Sequence, residues 1–153
     1  MVMKKCIAAL ISGAVSLATV AAEKTQAADT GPVIPPTSVY DIMVGAIEPA
    51  SNSIWAIALE ENAPRNEDDW KAIEREIIQL LAATSATSLG STLEKEREWA
   101  KDPRWTSYSK DMMEVTVMML DAARARDYEG TMDASNLLVE SCGGCHQAFP
   151  SSR

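Results

Sequence analysis

The chain has 153 residues, with 14 basic and 22 acidic side chains and a formal charge of −8 when its single histidine is neutral. That length suffices for one domain around one core, and so acidic a surface argues against nucleic acid and anionic lipid as partners. It suits a partner protein with a basic docking patch, met through on-rate more than affinity, although plain solubility accounts for the charge equally well.

The first six residues carry Lys4 and Lys5, and residues 7–22 form an apolar, small-residue run without charge. This run falls short of the roughly 20 residues a membrane helix needs. Residues 1–22 therefore read as a secretory signal removed after Ala22, with Ala27 the alternative cleavage point and an uncleaved anchor the rival reading. The expected location is the periplasm, with no membrane span after processing. Loss of Lys4 and Lys5 with no acid takes the net charge from −8 to −10. Cys6 leaves with the signal. Cys142 and Cys145 then remain, and no structural disulfide is available besides them.

Residues 23–37, with Pro32, Pro35 and Pro36, read as an extended lead-in, and a helical domain is expected over 38–150. Apolar residues recur at helical spacing almost throughout, and no strand-like alternation of useful length occurs. A first helix is expected from Ser38 to about Glu61, with the stripe Val39, Met43, Ile47, Ala50, Ile54 and Ala58. Pro49 removes the backbone bond to Gly45, so this helix should kink just after Met43. After a turn at Pro64, Asn66 caps a second helix that starts at Glu67 and carries acids in its first turn. Its stripe is Trp70, Ile73, Ile77, Leu80, Leu81 and Thr84, and Gly90 is its natural stop. Ser91 and Glu94 have the spacing of a capping box for a short charged helix to Lys101, whose alternating charges read as a solvated face. Asp102-Pro103 starts a third long helix, with Trp105, Tyr108, Met112, Val115, Met119 and Ala122 on one side and an end at Gly130. Thr131 is the expected cap of the fourth, whose stripe is Ala134, Leu138, Cys142, Cys145 and Phe149, and Pro150 ends it.

Four long helices with short first and third connections imply an all-α, antiparallel up-down-up-down four-helix bundle. In that topology the start of the first helix and the end of the fourth share one end of the bundle. The longest connection, residues 90–102, lies at the same end.

At that end sits Cys142-Gly143-Gly144-Cys145-His146. C-x-x-C-H is the attachment signature of a c-type haem: each sulfur can close a thioether to a vinyl group, and the imidazole can then bind iron. On a helix Cys142 and His146 share a face, with Cys145 beside them. Two rivals are weaker. A redox C-x-x-C belongs at a helix start near a βαβ pattern, and a zinc site needs four ligands, where the exported chain offers two cysteines and one histidine. Haem c, one per chain, is the expected cofactor. Gly143 and Gly144 cost about 1 kcal/mol each relative to alanine in a helix. They would let backbone lie close to a porphyrin, or they are neutral filler. Trp55, Trp70, Trp99 and Trp105 read as packing rather than redox relays. No nucleophile–base pair or nucleotide loop is evident, so a catalytic role is not expected.

A four-helix pattern ending in C-x-x-C-H resembles the class II c-type cytochromes, cytochrome c′ and the low-spin cytochrome c-556, over the whole exported length. Cys142 to His146 is the only highly specific motif; Phe149 matches the aromatic usually found three residues after the histidine. The resemblance implies a four-helix bundle with haem at the end of its C-terminal helix, thioethers at Cys142 and Cys145, and His146 as proximal ligand. Pro150 and Val39 stand where family members commonly carry arginines, which weighs against transferring the gas-binding behaviour of cytochromes c′. Monomers and dimers both occur in the family, so a homodimer is open to this chain.

The sixth iron ligand separates two functions. His146 is the only histidine, which leaves methionine, lysine or an empty site. Met132 lies ~20 Å along the helix from His146, and Met118 and Met119 are further from the haem end than Met112. Met43, or less readily Met112 or Met113, remains. Met43 matches the position of the axial methionine in cytochrome c-556; as an alternative it is a flexible apolar filler. A thioether ligand implies electron transfer at a closed iron. Its absence implies a five-coordinate protein that binds CO or NO.

Overall fold

The computed structural model describes residues 31–150, and every regular element among them is helical. The signal segment and the start of the lead-in lie outside these residues; residues 31–37 have no regular structure.

The first rod is built from α1 (Val39–Ile42), a π-helical turn (Met43–Ile47) and α2 (Glu48–Ala56) without a break. Ser38 caps it, its hydroxyl accepting the Asp41 N–H at 3.0 Å. The Asp41 carboxylate accepts the Ser38 N–H in return, completing a capping box. Just after Met43, where a kink is expected, the chain forms the π turn. The Glu48 N–H donates to the Met43 carbonyl, five residues back, and Pro49 has no N–H with which to close the ordinary ladder onto Gly45.

The rod stops at Ala56, well before the expected Glu61. Its last carbonyls find partners outside the helix: Asn62 Nδ2 donates to the Ala56 carbonyl at 3.1 Å, and the Tyr128 hydroxyl to that of Ile57 at 3.0 Å. Ala58 is consequently exposed and Ile57 is buried in its place. A single 3₁₀ turn (Glu60–Asn62) follows.

α3 (Glu67–Ser88) starts where expected, with Asn66 Oδ1 accepting from the amides of Asp68 and Asp69. Gly90 turns the chain at φ +70, and a Cβ there would meet the Glu96 carbonyl at 2.7 Å, so glycine is required on both counts. The short α4 (Glu94–Lys101) forms, but without the Ser91–Glu94 capping box. Leu93 occupies the cap position, and the Ser91 hydroxyl is drawn instead to the Glu96 carboxylate. α5 (Pro103–Arg124) is capped by Asp102, which accepts the Arg104 N–H at 2.9 Å.

The third join differs from expectation. α5 ends at Arg124 rather than Gly130, and α6 (Tyr128–Ala148) begins before Thr131. Asp127 is the cap, its carboxylate accepting the Gly130 N–H at 2.9 Å. Arg126 makes the reversal at φ 59, an uncommon conformation for a side-chain-bearing residue. Its guanidinium is tied to Glu67, to Glu74 at 2.6 Å and to the Ala123 carbonyl at 2.7 Å, and lies over the Trp70 ring. Gly130 is thus a first-turn residue whose missing side chain leaves room for the Asp127 carboxylate.

Ile54, Ile77, Leu80, Met119 and Leu138 are fully buried, so the rod, α3, α5 and α6 share one core, as in a helical bundle. Thr84, Thr87 and Thr116 also enter it, each hydroxyl donating to the carbonyl four residues back. A second cluster of Val39, Trp105 and Phe149 joins the start of the rod, the start of α5 and the end of α6. No helix among the described residues is long and apolar enough to cross a membrane.

Candidate functional site

Where these three helix ends meet, a cleft of about 430 Å³ opens, within the ~300–1,000 Å³ usual for cofactor sites. Cys142, Cys145 and His146 enter it from α6, Met43 from the π turn and Met112 from α5. Met113, Met118, Met119 and Met132 are not among its lining residues; Met119 is in the core and Met118 is exposed. The two thiols are half-buried and His146 is exposed at the rim.

Both cysteines are free thiols. Burial pushes the Cys142 thiol up from its ordinary pKa, and burial together with the neighbouring Cys142 does the same to Cys145. Among the described residues no three His, Cys, Asp or Glu side chains gather around one point as a metal cluster would require.

One end wall of the cleft is aromatic. Trp99 stacks on Trp105 with centroids 5.6 Å apart, and Phe149 meets both edge-on at 5.9 and 5.1 Å. Trp105 donates its indole N–H to the Ser88 carbonyl. α4 forms another wall, and a buried carboxylate pins it there: Glu96 accepts the Val39 N–H at 2.8 Å as well as the Ser91 hydroxyl. Glu96 thus satisfies an orphan amide at the first turn of the rod, where negative charge is also favoured by the helix dipole. The expected solvated face of α4 holds for its neighbours but not for Glu96.

The rod supplies a row at four-residue spacing, Met43, Ile47, Ser51 and Trp55, all lining the cleft. Ser51 Oγ and Trp55 Nε1 are buried without a protein hydrogen-bond partner. Sequence reasoning missed both this pair and Glu96. Extending the Met43 row by two further steps of four would have reached Ser51 and Trp55; nothing local marks Glu96, whose partner Val39 is 57 residues away.

Apolar walls, two half-buried thiols, one imidazole and the methionines Met43 and Met112 around one space make a donor set that fits a covalently held haem. The two motif glycines differ. A Cβ at Gly143 would meet nothing within 4 Å, whereas one at Gly144 would touch Tyr108 Cε1 at 3.0 Å. Tyr108 is thus the protein neighbour that crowds Gly144. Gly143→Ala is expected to raise stability by about 1 kcal/mol. Gly144→Ala should gain less or lose, because the Tyr108 ring must shift; paired thermal melts of the two variants check the difference.

A separate, more polar cleft of about 540 Å³ lies between the end of the rod and the start of α3, lined among others by Glu61, Arg65, Asp69 and Glu76, with no Cys, His or Met. No family model matches this chain, nor does any curated protein or solved structure.

Proposed function

We propose that the protein is an exported, periplasmic monohaem cytochrome of the class II c type, carrying single electrons through a haem c ligated by His146 and Met43. The observation that carries this reading is that Cys142, Cys145, His146 and Met43, from opposite ends of the domain sequence, line one cleft. The fold of this reading is an antiparallel up-down-up-down four-helix bundle with haem at the end of the C-terminal helix. Two contacts support that order: Val39 packs with Phe149 at one end, and Tyr128, which opens α6, bonds Ile57 beyond the rod's far end.

In this reading Cys142 and Cys145 would hold the haem covalently through two thioethers. His146, through a ring nitrogen, and Met43, through its sulfur, would hold the iron. The bound haem supplies a one-electron Fe(III)/Fe(II) couple. Around it the aromatic wall and the Glu96-pinned α4 would exclude water, and burial together with a thioether ligand would hold the potential up. The acidic surface suits a redox partner with a basic patch, whether this protein acts as a monomer or a homodimer.

The test is the absorption spectrum of the exported protein, oxidised and dithionite-reduced, with and without CO. Sharp low-spin bands indifferent to CO are expected. Broad high-spin bands that move with CO would replace this reading with the five-coordinate, CO- or NO-binding one, and a denatured sample without haem stain would end both.

A further inference from the structure

Glu96 is a carboxylate taken out of water. It is 7% exposed, and among the described residues no ion pair includes it. Burying a charge is costly unless hydrogen bonds meet it. Here Oε2 accepts the Val39 N–H at 2.8 Å and the Ser91 hydroxyl. A leucine or methionine would fill the same volume without that cost, so the bonds rather than the packing call for a glutamate. The acceptor is also fixed from its own side. Gly90 brings the chain so close that a Cβ would lie 2.7 Å from the Glu96 carbonyl oxygen.

What Glu96 holds is the short first turn of the rod. α1 is only Val39–Ile42, preceded by irregular chain and followed at once by the π turn that opens with Met43. So short a helix gains little from its own ladder and depends on contacts from outside. The Ser38 hydroxyl accepts the Asp41 N–H, and Glu96 accepts that of Val39 from 57 residues away. Met43 lies one turn beyond Val39 on the same face, and both line the cleft. Met43 also packs against the cluster of Val39, Trp105 and Phe149. Fixing Val39 therefore fixes the height and rotation of the turn that carries Met43, and a ligating side chain tolerates only about 0.5 Å of error.

We infer that Glu96 is a positioning residue for the sixth iron ligand: through the Val39 amide it clamps the first turn of the rod so that Met43 stays on the iron. This rests on the His146/Met43 haem c reading above. With the clamp cut, Met43 leaves the iron more often and the site opens to small ligands.

The experiment uses the exported holoprotein and its Glu96→Gln, Glu96→Ala and Val39→Pro variants, each first checked by haem stain after denaturation. Glutamine keeps an oxygen that can accept the Val39 N–H, and alanine removes it. Proline removes the donor instead. It suits the first position of a helix and follows a residue already extended, Ser38 at ψ 157. CO binding to the ferrous protein and the ferric spin state report how often Met43 leaves; melting temperature and amide exchange over residues 39–43 report the fold.

Wild type and Glu96→Gln are expected to stay low-spin and closed. Glu96→Ala and Val39→Pro should show faster exchange, a high-spin fraction and CO binding at least ~10-fold faster, the factor implied by losing a bond to a charged group. Stained Glu96→Ala and Val39→Pro proteins that melt lower yet stay low-spin and closed overturn the clamp and leave the cytochrome reading intact. A Glu96→Gln protein as open as Glu96→Ala also overturns it, because charge rather than the bond would then be at work. If Glu96→Ala loads no haem, Val39→Pro decides alone. A wild type that already binds CO removes the Met43 ligand and the clamp together, and a wild type without stain ends the haem c reading itself.

Discussion

On the haem c reading, changing Cys142 and Cys145 together to serine is expected to remove all haem that survives denaturation. Serine keeps the size and hydrogen-bonding capacity of the buried thiols but cannot close a thioether, so any residual haem would be held only by His146, Met43 and the apolar walls, and would leave on unfolding. Single variants should keep a weaker stain through the remaining bond. The separation matters because both thiols sit in the same half-buried environment with their pKa values raised, so neither is marked out as dispensable. A double variant that stained as strongly as the parent would show that these sulfurs do not attach the group. A melting temperature below the parent's should accompany the loss, since a ligand bound only to the folded chain contributes to stability by mass action and a covalent one cannot be diluted away.

The second large effect is at Met43. On the same reading, Met43→Ala should convert the ferric and ferrous spectra from low to high spin, open the iron to CO, and lower the midpoint potential, because a thioether ligand favours the ferrous state. Met43 is half-buried, so the stability cost should fall below the ~2–5 kcal/mol typical of a fully buried methionine-to-alanine change, and the protein should fold for the measurement. Met112 lines the same cleft and provides the control. Met112→Leu conserves volume and should leave the spectrum alone while costing less than ~1.5 kcal/mol. An unchanged spectrum in Met43→Ala would make Met43 a packing residue, and a spin change in Met112→Leu instead would transfer the ligand role to α5.

The position of Met43 shows how far local sequence reasoning reaches. Pro49 is legible as a helix disturbance because the missing N–H and the ring clash act within one turn. The response of the chain, a π turn over Met43–Ile47 rather than a simple bend, was not legible, because widening the turn or bending it are both ways to lose that bond. The same division recurs at the third join. Gly130 and Thr131 look like a stop and a start, yet Asp127 caps α6 and Arg126 makes the turn in a left-handed conformation. Arg126 is held there by Glu67 and Glu74, residues of another helix, and no window along the chain contains that contact.

The helical class, most helix starts and the whole of the candidate attachment motif are legible along the chain, since all of these depend on periodicity, caps and spacings within a few residues. Cys142, Cys145 and His146 are adjacent on one turn whatever the rest of the chain does. What faces them depends on how the helices pack. Three helix ends meeting through Val39, Trp105 and Phe149 make the cleft, bury Glu96 against the first turn of the rod, and leave Ser51 and Trp55 with donors that nothing in the protein accepts. Burial and unmet hydrogen bonds are properties of surfaces brought together from distant segments, and they exist only once the helices have packed.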